Sequence, residues 1–225
     1  KTPLKKLGLV SSSASEFKKI SEEYSSFCAI GHVRYSTIGK SNLHNAQPLK
    51  VKDLCIAHNG TISNVEELSN MVGGCSFTPQ HASDTLVVAQ RLVSLISEKG
   101  KLGEALSILK NDMIGSYCFT FLSDDSSVYA ARDPRGFRPM VMGKKEDGKT
   151  HIIASESSAL SAIGAKLERD VIPGELIKLS KNGVETEMFS SETYRAHCSF
   201  EFTYFAHPSS KMEGSNIYVA RKNIG

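Results

Sequence analysis

Apolar and polar positions alternate along this chain with two distinct periods. Ser83-Asp84 opens the clearest helical stretch, Thr85 to Lys99, which Gly100 stops. Leu86, Ala89, Val93 and Ile96 form its apolar stripe, with Arg91, Ser94 and Glu98 elsewhere. Leu102 to Lys110 predicts a second helix with Leu102, Ala105, Leu106 and Leu109 on one side. Shorter helices are predicted at Ala14 to Glu23, Val65 to Val72 and Ser157 to Ile163. From Gly115 the period becomes two: Tyr117, Phe119 and Phe121 alternate, Ser123 to Ser127 turns, and Val128 to Ala131 returns as a hairpin. Further strands are predicted at Phe27 to Val33, Leu54 to Ala57, Met140 to Met142, His151 to Ala154, Glu175 to Leu179 and Val184 to Met188, and Gly8-Leu9-Val10 could enter one more. Strands on both sides of a helix pair predict an α+β fold with a mostly antiparallel sheet.

One strand end stands out. The apolar run Leu54 to Ala57 leads into His58-Asn59-Gly60-Thr61, then Ser63-Asn64-Val65-Glu66, an S-x-x-E capping box. The sequence predicts a tight turn at Asn59-Gly60, since both residues tolerate positive φ. Such a turn can aim an Asn amide and the Gly60 N–H at a developing oxyanion; it can equally be an ordinary β-turn. Arg34, after the Phe27–Val33 run, can grip a carboxylate through its guanidinium or pair with a surface acid. Asp84 can hold an ammonium or cap its helix.

Composition narrows the classes. The 225 residues are 40% apolar, with 27 basic and 24 acidic side chains and a net charge of +3. That balance gives no footprint for nucleic acid or an anionic membrane. No apolar window approaches the roughly 18 residues that span a bilayer. The basic start, Lys-Thr-Pro-Leu-Lys-Lys-Leu-Gly, has no apolar core of a signal peptide. Five cysteines without a C-x-x-C are no disulfide framework or zinc module. Cys28, Cys55 and Cys118 lie in apolar runs and read as buried thiols of a cytoplasmic protein. The seven histidines lack metal-ligand spacing, and the chain has no Walker loop and no G-x-S-x-G.

Six segments in order carry a family resemblance: Gly31-His32-Val33-Arg34-Tyr35-Ser36-Thr37; Asn45-Ala46-Gln47-Pro48; His58-Asn59-Gly60; Ser83-Asp84-Thr85; Arg132-Asp133-Pro134-Arg135-Gly136-Phe137-Arg138-Pro139; and Ala154-Ser155-Glu156. This series resembles the class II glutamine amidotransferases. The resemblance implies an N-terminal-nucleophile hydrolase fold, a four-layer αββα sandwich. It implies Asn59 and Gly60 as the oxyanion hole, Arg34 and Asp84 as the clamps on the glutamine α-carboxylate and α-ammonium, and Tyr35 and Thr37 in a loop over bound glutamine. The nucleophile of the class is an N-terminal cysteine activated by its own α-amine. The chain starts at Lys1 without the opening strands that carry it, so as it stands the chain is expected to be inactive.

The tail, Cys198 to Ser210 followed by Ala220-Arg221-Lys222-Asn223-Ile224-Gly225, is similar to the glutaminase–phosphoribosyltransferase junction of the amidophosphoribosyltransferases. The resemblance implies a glutaminase domain over 1–190 and a junction with the start of a second domain over 191–225. It implies ammonia delivery to phosphoribosyl pyrophosphate in the first committed step of purine synthesis. Mg2+ would serve the second domain, and Cys198 could be one ligand of a [4Fe–4S] cluster. The family implies a homo-oligomer inhibited by purine nucleotides. Two alternatives stay open: a glutaminase of the glucosamine-6-phosphate synthase kind, and a glutamine-binding module without a nucleophile.

Overall fold

The computed structural model describes residues 2–24, 26–34, 42–72 and 83–225. They divide into two compact units, one of residues 1–58, 62–114 and 120–129, the other of 59–61, 115–119 and 130–225.

In the first unit a 3-10 turn, Val10–Ser13, leads into helix α1, Ala14–Glu23. The 3-10 turn replaces the strand that Gly8-Leu9-Val10 suggested. Strand β1, Leu49–Val51, pairs antiparallel with β2, Leu54–Ile62, in the register Leu49↔Ile56. Helices α2 (Val65–Met71), α3 (Asp84–Lys99) and α4 (Leu102–Asp112) follow, and α3 packs against α2, α4 and β1. Ser83 caps α3 by accepting the Leu86 N–H on its Oγ at 3.3 Å, and Gly100 ends it in the left-handed region at φ 81°. The buried face of α3 is wider than the stripe the sequence suggests. Val87, Val88 and Leu92 lie deepest along it together with Thr85, whereas Leu86 and Ile96 are half-buried. An element covered from several directions buries more than one narrow face. Arg91 ties α3 to the end of α4, giving Nε and Nη2 to Asp112 Oδ2 at 3.1 and 2.9 Å.

Strands β3 (Gly115–Leu122) and β4 (Val128–Arg132) contribute residues to both units. The second unit adds β5 (Val141–Lys145), β6 (His151–Ala154), helix α5 (Ser157–Ala162), β7 (Ala165–Asp170), β8 (Glu175–Ser180) and β9 (Gly183–Met188). Its strands form two sheets, in the orders β3-β4-β8-β9 and β6-β5-β7. Cys118, Ala130 and Ile177 of one sheet meet Met142 and Ile153 of the other, with Met140 and Val171. On its opposite face the smaller sheet packs Val141, Ile152 and Ala165 against Leu160 of α5. Alternation along β5 thus sends Met142 into one core and Val141 into the other. Gly143 lies where β5 shifts register against β7, and a Cβ there would meet Leu160 Cδ1 at 2.6 Å and the Lys166 carbonyl at 2.7 Å. Gly143→Ala is expected to cost about 1–3 kcal/mol, read as a lower denaturant midpoint with an unchanged slope.

The tail builds a small core of its own. A π-turn, Glu201–Phe205, the hairpin β10 (Lys211–Met212) and β11 (Ser215–Asn216), and helix α6 (Ile217–Ile224) enclose Phe202, Ala206, Met212 and Ile217. Acidic side chains fasten it to the rest of the unit. Glu156 Oε2 accepts the His207 N–H at 2.7 Å and the Ser210 hydroxyl at 2.8 Å, and Asp170 Oδ1 accepts the Glu213 N–H at 3.1 Å.

Four expectations are corrected. First, β2 runs straight through Asn59-Gly60-Thr61, so this pair lies in a strand, with Gly60 at φ 148°, and makes no turn. Continuation of the strand to Ile62 overrides the turn preference of an Asn-Gly pair. Second, the Ser63–Glu66 capping box does not form. Ser63 gives both its N–H and its hydroxyl to the Ile114 carbonyl, at 2.8 and 2.9 Å, and Asn64 occupies the cap position of α2. Third, Phe27 to Val33 forms no strand, and both named residues are exposed. Fourth, Cys28 and Cys55 are half-buried, and of the three thiols read as core only Cys118 is buried. The sequence also passes over β7, whose Lys-Leu-Glu-Arg-Asp run lies at the edge of its sheet and carries no two-residue apolar alternation. Among the described residues no helix is long and apolar enough to cross a membrane.

Candidate active site

Asp84 is the first residue of α3, where the exposed N–H groups and the helix dipole favour a negative group. Its carboxylate is held on both oxygens. Oδ1 accepts the Thr85 N–H at 2.7 Å and the Thr85 hydroxyl at 3.2 Å, and Oδ2 accepts the Ile62 N–H at 3.1 Å. The side chain remains 24% exposed. Ser83 takes the capping role, so Asp84 is free of it.

Behind Asp84 stands a polar network drawn from distant parts of the first unit. Thr85, at 0% exposure, receives Gln47 Nε2–H on its Oγ1 at 3.1 Å, and His58 Nδ1 lies 3.2 Å from the same oxygen. The hydroxyl has one hydrogen, which goes to Asp84, so His58 donates from Nδ1. Gln47 also accepts the His58 N–H on its Oε1 at 2.6 Å. The His58 carbonyl lies 3.1 Å from His32 Nε2 and therefore receives its hydrogen. Burial lowers the pKa of His32 from the usual histidine value; the bond to the His58 carbonyl opposes this, and the nearby His58 and Arg34 add to the lowering. His32 is a neutral ring at pH 7, with a buried Nδ1 that makes no hydrogen bond among the described residues.

Arg34 is half-buried and ends the described segment 26–34. Tyr35 and Thr37 lie outside the described residues. Asn59 and Gly60 are half-buried on β2, between His58 and Ile62, and belong to the second unit. The structure therefore gathers Asp84 with His32, Gln47, His58 and Thr85 within the first unit. Sequence reasoning assigned no role to Gln47, His58 or Thr85. The available signal was that each lies within a family motif, and that His58 and Thr85 also border apolar runs.

The remaining motifs serve the second unit's own structure. The Arg132 guanidinium is enclosed, giving Nε, Nη1 and Nη2 to the carbonyls of Arg138, Val171 and Gly136 and pairing with Glu213. Asp133 accepts the N–H groups of Arg135 and Phe137 and of Tyr117. Burial pushes its carboxyl above the usual carboxylate range, against the pull of those three donors. Glu156 holds the tail, as above. Burial raises the thiol pKa of Cys118 and of Cys55, the reverse of an activated nucleophile. Cys198 is buried beside the 134–137 turn, its N–H given to the Phe137 carbonyl. A [4Fe–4S] cluster takes four thiolates. Among the described residues no three His, Cys, Asp or Glu side chains group as metal ligands, so these residues alone do not fit such a cluster.

Comparison with known proteins places this geometry among relatives. Residues 32–162 match the family described as glutamine amidotransferase domain. The chain is 41% identical over 202 residues to an amidophosphoribosyltransferase of Archaeoglobus fulgidus, covering 87% of this chain and 43% of the relative. It is 35% identical to the Bacillus subtilis amidophosphoribosyltransferase, covering 88% and 41%. Among solved structures it superposes on the B. subtilis glutamine phosphoribosylpyrophosphate amidotransferase with a TM-score of 0.73 and 32% identity, over 86% of this chain and 42% of that one. The chain spans less than half the length of these relatives. The superposition bears out the α+β, N-terminal-nucleophile hydrolase fold expected from the motifs.

Proposed function

Since the chain belongs to the glutamine amidotransferase domain family, we propose that it is the glutaminase part of an amidophosphoribosyltransferase. The observation that carries the reading is Asp84: a partly exposed carboxylate, pinned on both oxygens at a helix N-terminus, in the motif position that the class uses for the glutamine α-ammonium. Arg34 takes the α-carboxylate. The N-terminal cysteine thiolate of the complete enzyme attacks the glutamine carboxamide carbon. Asn59 and the Gly60 N–H hold the resulting oxyanion. Collapse expels ammonia and leaves a thioester, which water hydrolyses to glutamate. Ammonia then displaces pyrophosphate from phosphoribosyl pyrophosphate in a Mg2+-dependent phosphoribosyltransferase domain, giving phosphoribosylamine for purine synthesis.

Residues 191–225 lead toward that second domain while the Glu156 and Asp170 carboxylates hold the tail's main chain through the His207 and Glu213 N–H groups. The enzyme is a homo-oligomer of the cytoplasm, in keeping with four free thiols among the described residues. Iron and sulfide analysis of the complete enzyme decides whether Cys198 serves a cluster; absence of both elements removes that role.

Arg34→Ala in the complete enzyme tests the clamp. The KM for glutamine is expected to rise by about 10-fold or more, the worth of a charge-assisted hydrogen bond, while the KM for ammonia as nitrogen donor stays in place. An equal loss with both donors would remove Arg34 from glutamine recognition.

A further inference from the structure

A carboxylate offers about four lone-pair directions. In Asp84 the protein uses both on Oδ1, for the Thr85 N–H and the Thr85 hydroxyl, and one on Oδ2, for the Ile62 N–H. His58 Nδ1 stands 3.7 Å from Oδ2, beyond hydrogen-bonding range, and turns its hydrogen to Thr85 instead. Among the described residues one acceptor direction is left, on Oδ2, on a side chain that solvent still reaches. We propose that Oδ2 is the atom that receives the substrate ammonium, and that Thr85 and Gln47 are positioning residues that set Asp84's affinity for it. The inference rests on the reading of Asp84 as the ammonium partner and deepens it.

The physical argument concerns rotation. Asp84 can swing about its Cβ–Cγ bond unless both oxygens are held. The Thr85 hydroxyl adds a side-chain bond to Oδ1 beside the shorter one from the Thr85 N–H, so that the oxygen is held from two directions. That hydroxyl is itself oriented, because Gln47 Nε2–H and His58 Nδ1–H fill its acceptor directions and leave its one hydrogen for Asp84. Gln47 is fixed in turn by accepting the His58 N–H at 2.6 Å. A short polar chain thus runs from β2 to the carboxylate, and Thr85 has no exposure through which water could replace it. Valine at position 85 keeps the shape and removes the hydroxyl.

The test is steady-state glutaminase kinetics on the complete enzyme at saturating phosphoribosyl pyrophosphate, with folding checked by circular dichroism. Thr85→Val is expected to raise the glutamine KM by about 10-fold with kcat within about 2-fold, and Thr85→Ser to restore it to within about 2-fold. Gln47→Leu leaves the hydroxyl in place but frees it to rotate, and is expected to raise KM by about 3-fold. Asp84→Asn is measured alongside. If Asp84→Asn raises KM while folded Thr85→Val and Gln47→Leu do not, the positioning inference is overturned and the ammonium reading stands. If Asp84→Asn leaves KM unchanged, the ammonium reading itself fails. A fall in kcat without a change in KM at position 85 also overturns the inference. Should Thr85→Val not fold, Gln47→Leu decides: a raised KM supports the positioning chain and an unchanged one ends it.

Discussion

Asn59→Ala in the complete enzyme is expected to lower glutamine-dependent turnover by about 10²–10³-fold relative to the ammonia-dependent rate. The size follows from when the bond matters. The carboxamide oxygen gains its full negative charge only in the tetrahedral intermediate, so a donor aimed there stabilises the transition state more than the bound substrate. The donors must also cost little to orient. Asn59 and Gly60 belong to a paired strand. The main chain on either side is tied down, with the His58 N–H on Gln47 Oε1 and the Ile62 N–H on Asp84 Oδ2. A strand held in this way needs less reorganisation than a free turn would. The check is the ratio of phosphoribosylamine formation with glutamine to that with ammonia, for wild type and variant. A fall of less than about 5-fold is far below the loss of an oxyanion donor and would take Asn59 out of that role.

The largest stability effect is expected at Arg132, and it is independent of catalysis. The guanidinium is 1% exposed and its partner Glu213 7% exposed. Its three nitrogens give hydrogen bonds of 2.9, 2.7 and 2.9 Å to the carbonyls of Arg138, Val171 and Gly136. Arg132→Ala therefore strands two buried acceptors and a part-buried one together with a buried carboxylate. Arg195 approaches Glu213 at 3.8 Å and offsets only part of the lost charge. Breaking a buried ion pair from one side costs about 3–5 kcal/mol. For a domain of this size that lowers the melting temperature by roughly 10 °C, at about 2–4 °C per kcal/mol. Arg132→Lys is expected to recover little, because one ammonium cannot span three carbonyls that a planar fork reaches together. Thermal unfolding decides the matter; a shift below about 3 °C for Arg132→Ala would mean that these bonds contribute almost nothing net.

The two predictions differ in how visible their residues were beforehand. Both sit in motifs legible in the sequence, yet the motifs say nothing of the division of labour. Asn59-Gly60 and Asp84 were legible as candidate chemistry because each falls at the edge of an apolar run. Arg132 was visible only as the first residue of its motif, next to a turn closed by the Gly136 N–H on the Asp133 carbonyl. What encloses its side chain comes from Val171 and Glu213, 39 and 81 positions further along the chain.

By itself the sequence determined the elements whose cause is local. Helix α3 was legible through Ser83 at one end and Gly100 at the other, β3 through the alternation of Tyr117, Phe119 and Phe121, and β6 and β8 through short apolar runs between turn residues. The ordered motifs also carried the family. Only the tertiary structure decided whether Asn59-Gly60 turns or continues a strand, whether Ser63 caps α2 or bonds to Ile114, and which groups hold Asp84. The reason is physical. Backbone preferences at one position amount to about 1 kcal/mol or less, and a continuing ladder or a buried hydrogen bond outweighs them. Gln47 and Thr85 meet across 38 positions of chain, so no spacing rule records their contact, and the fold alone places an amide and a hydroxyl behind the carboxylate.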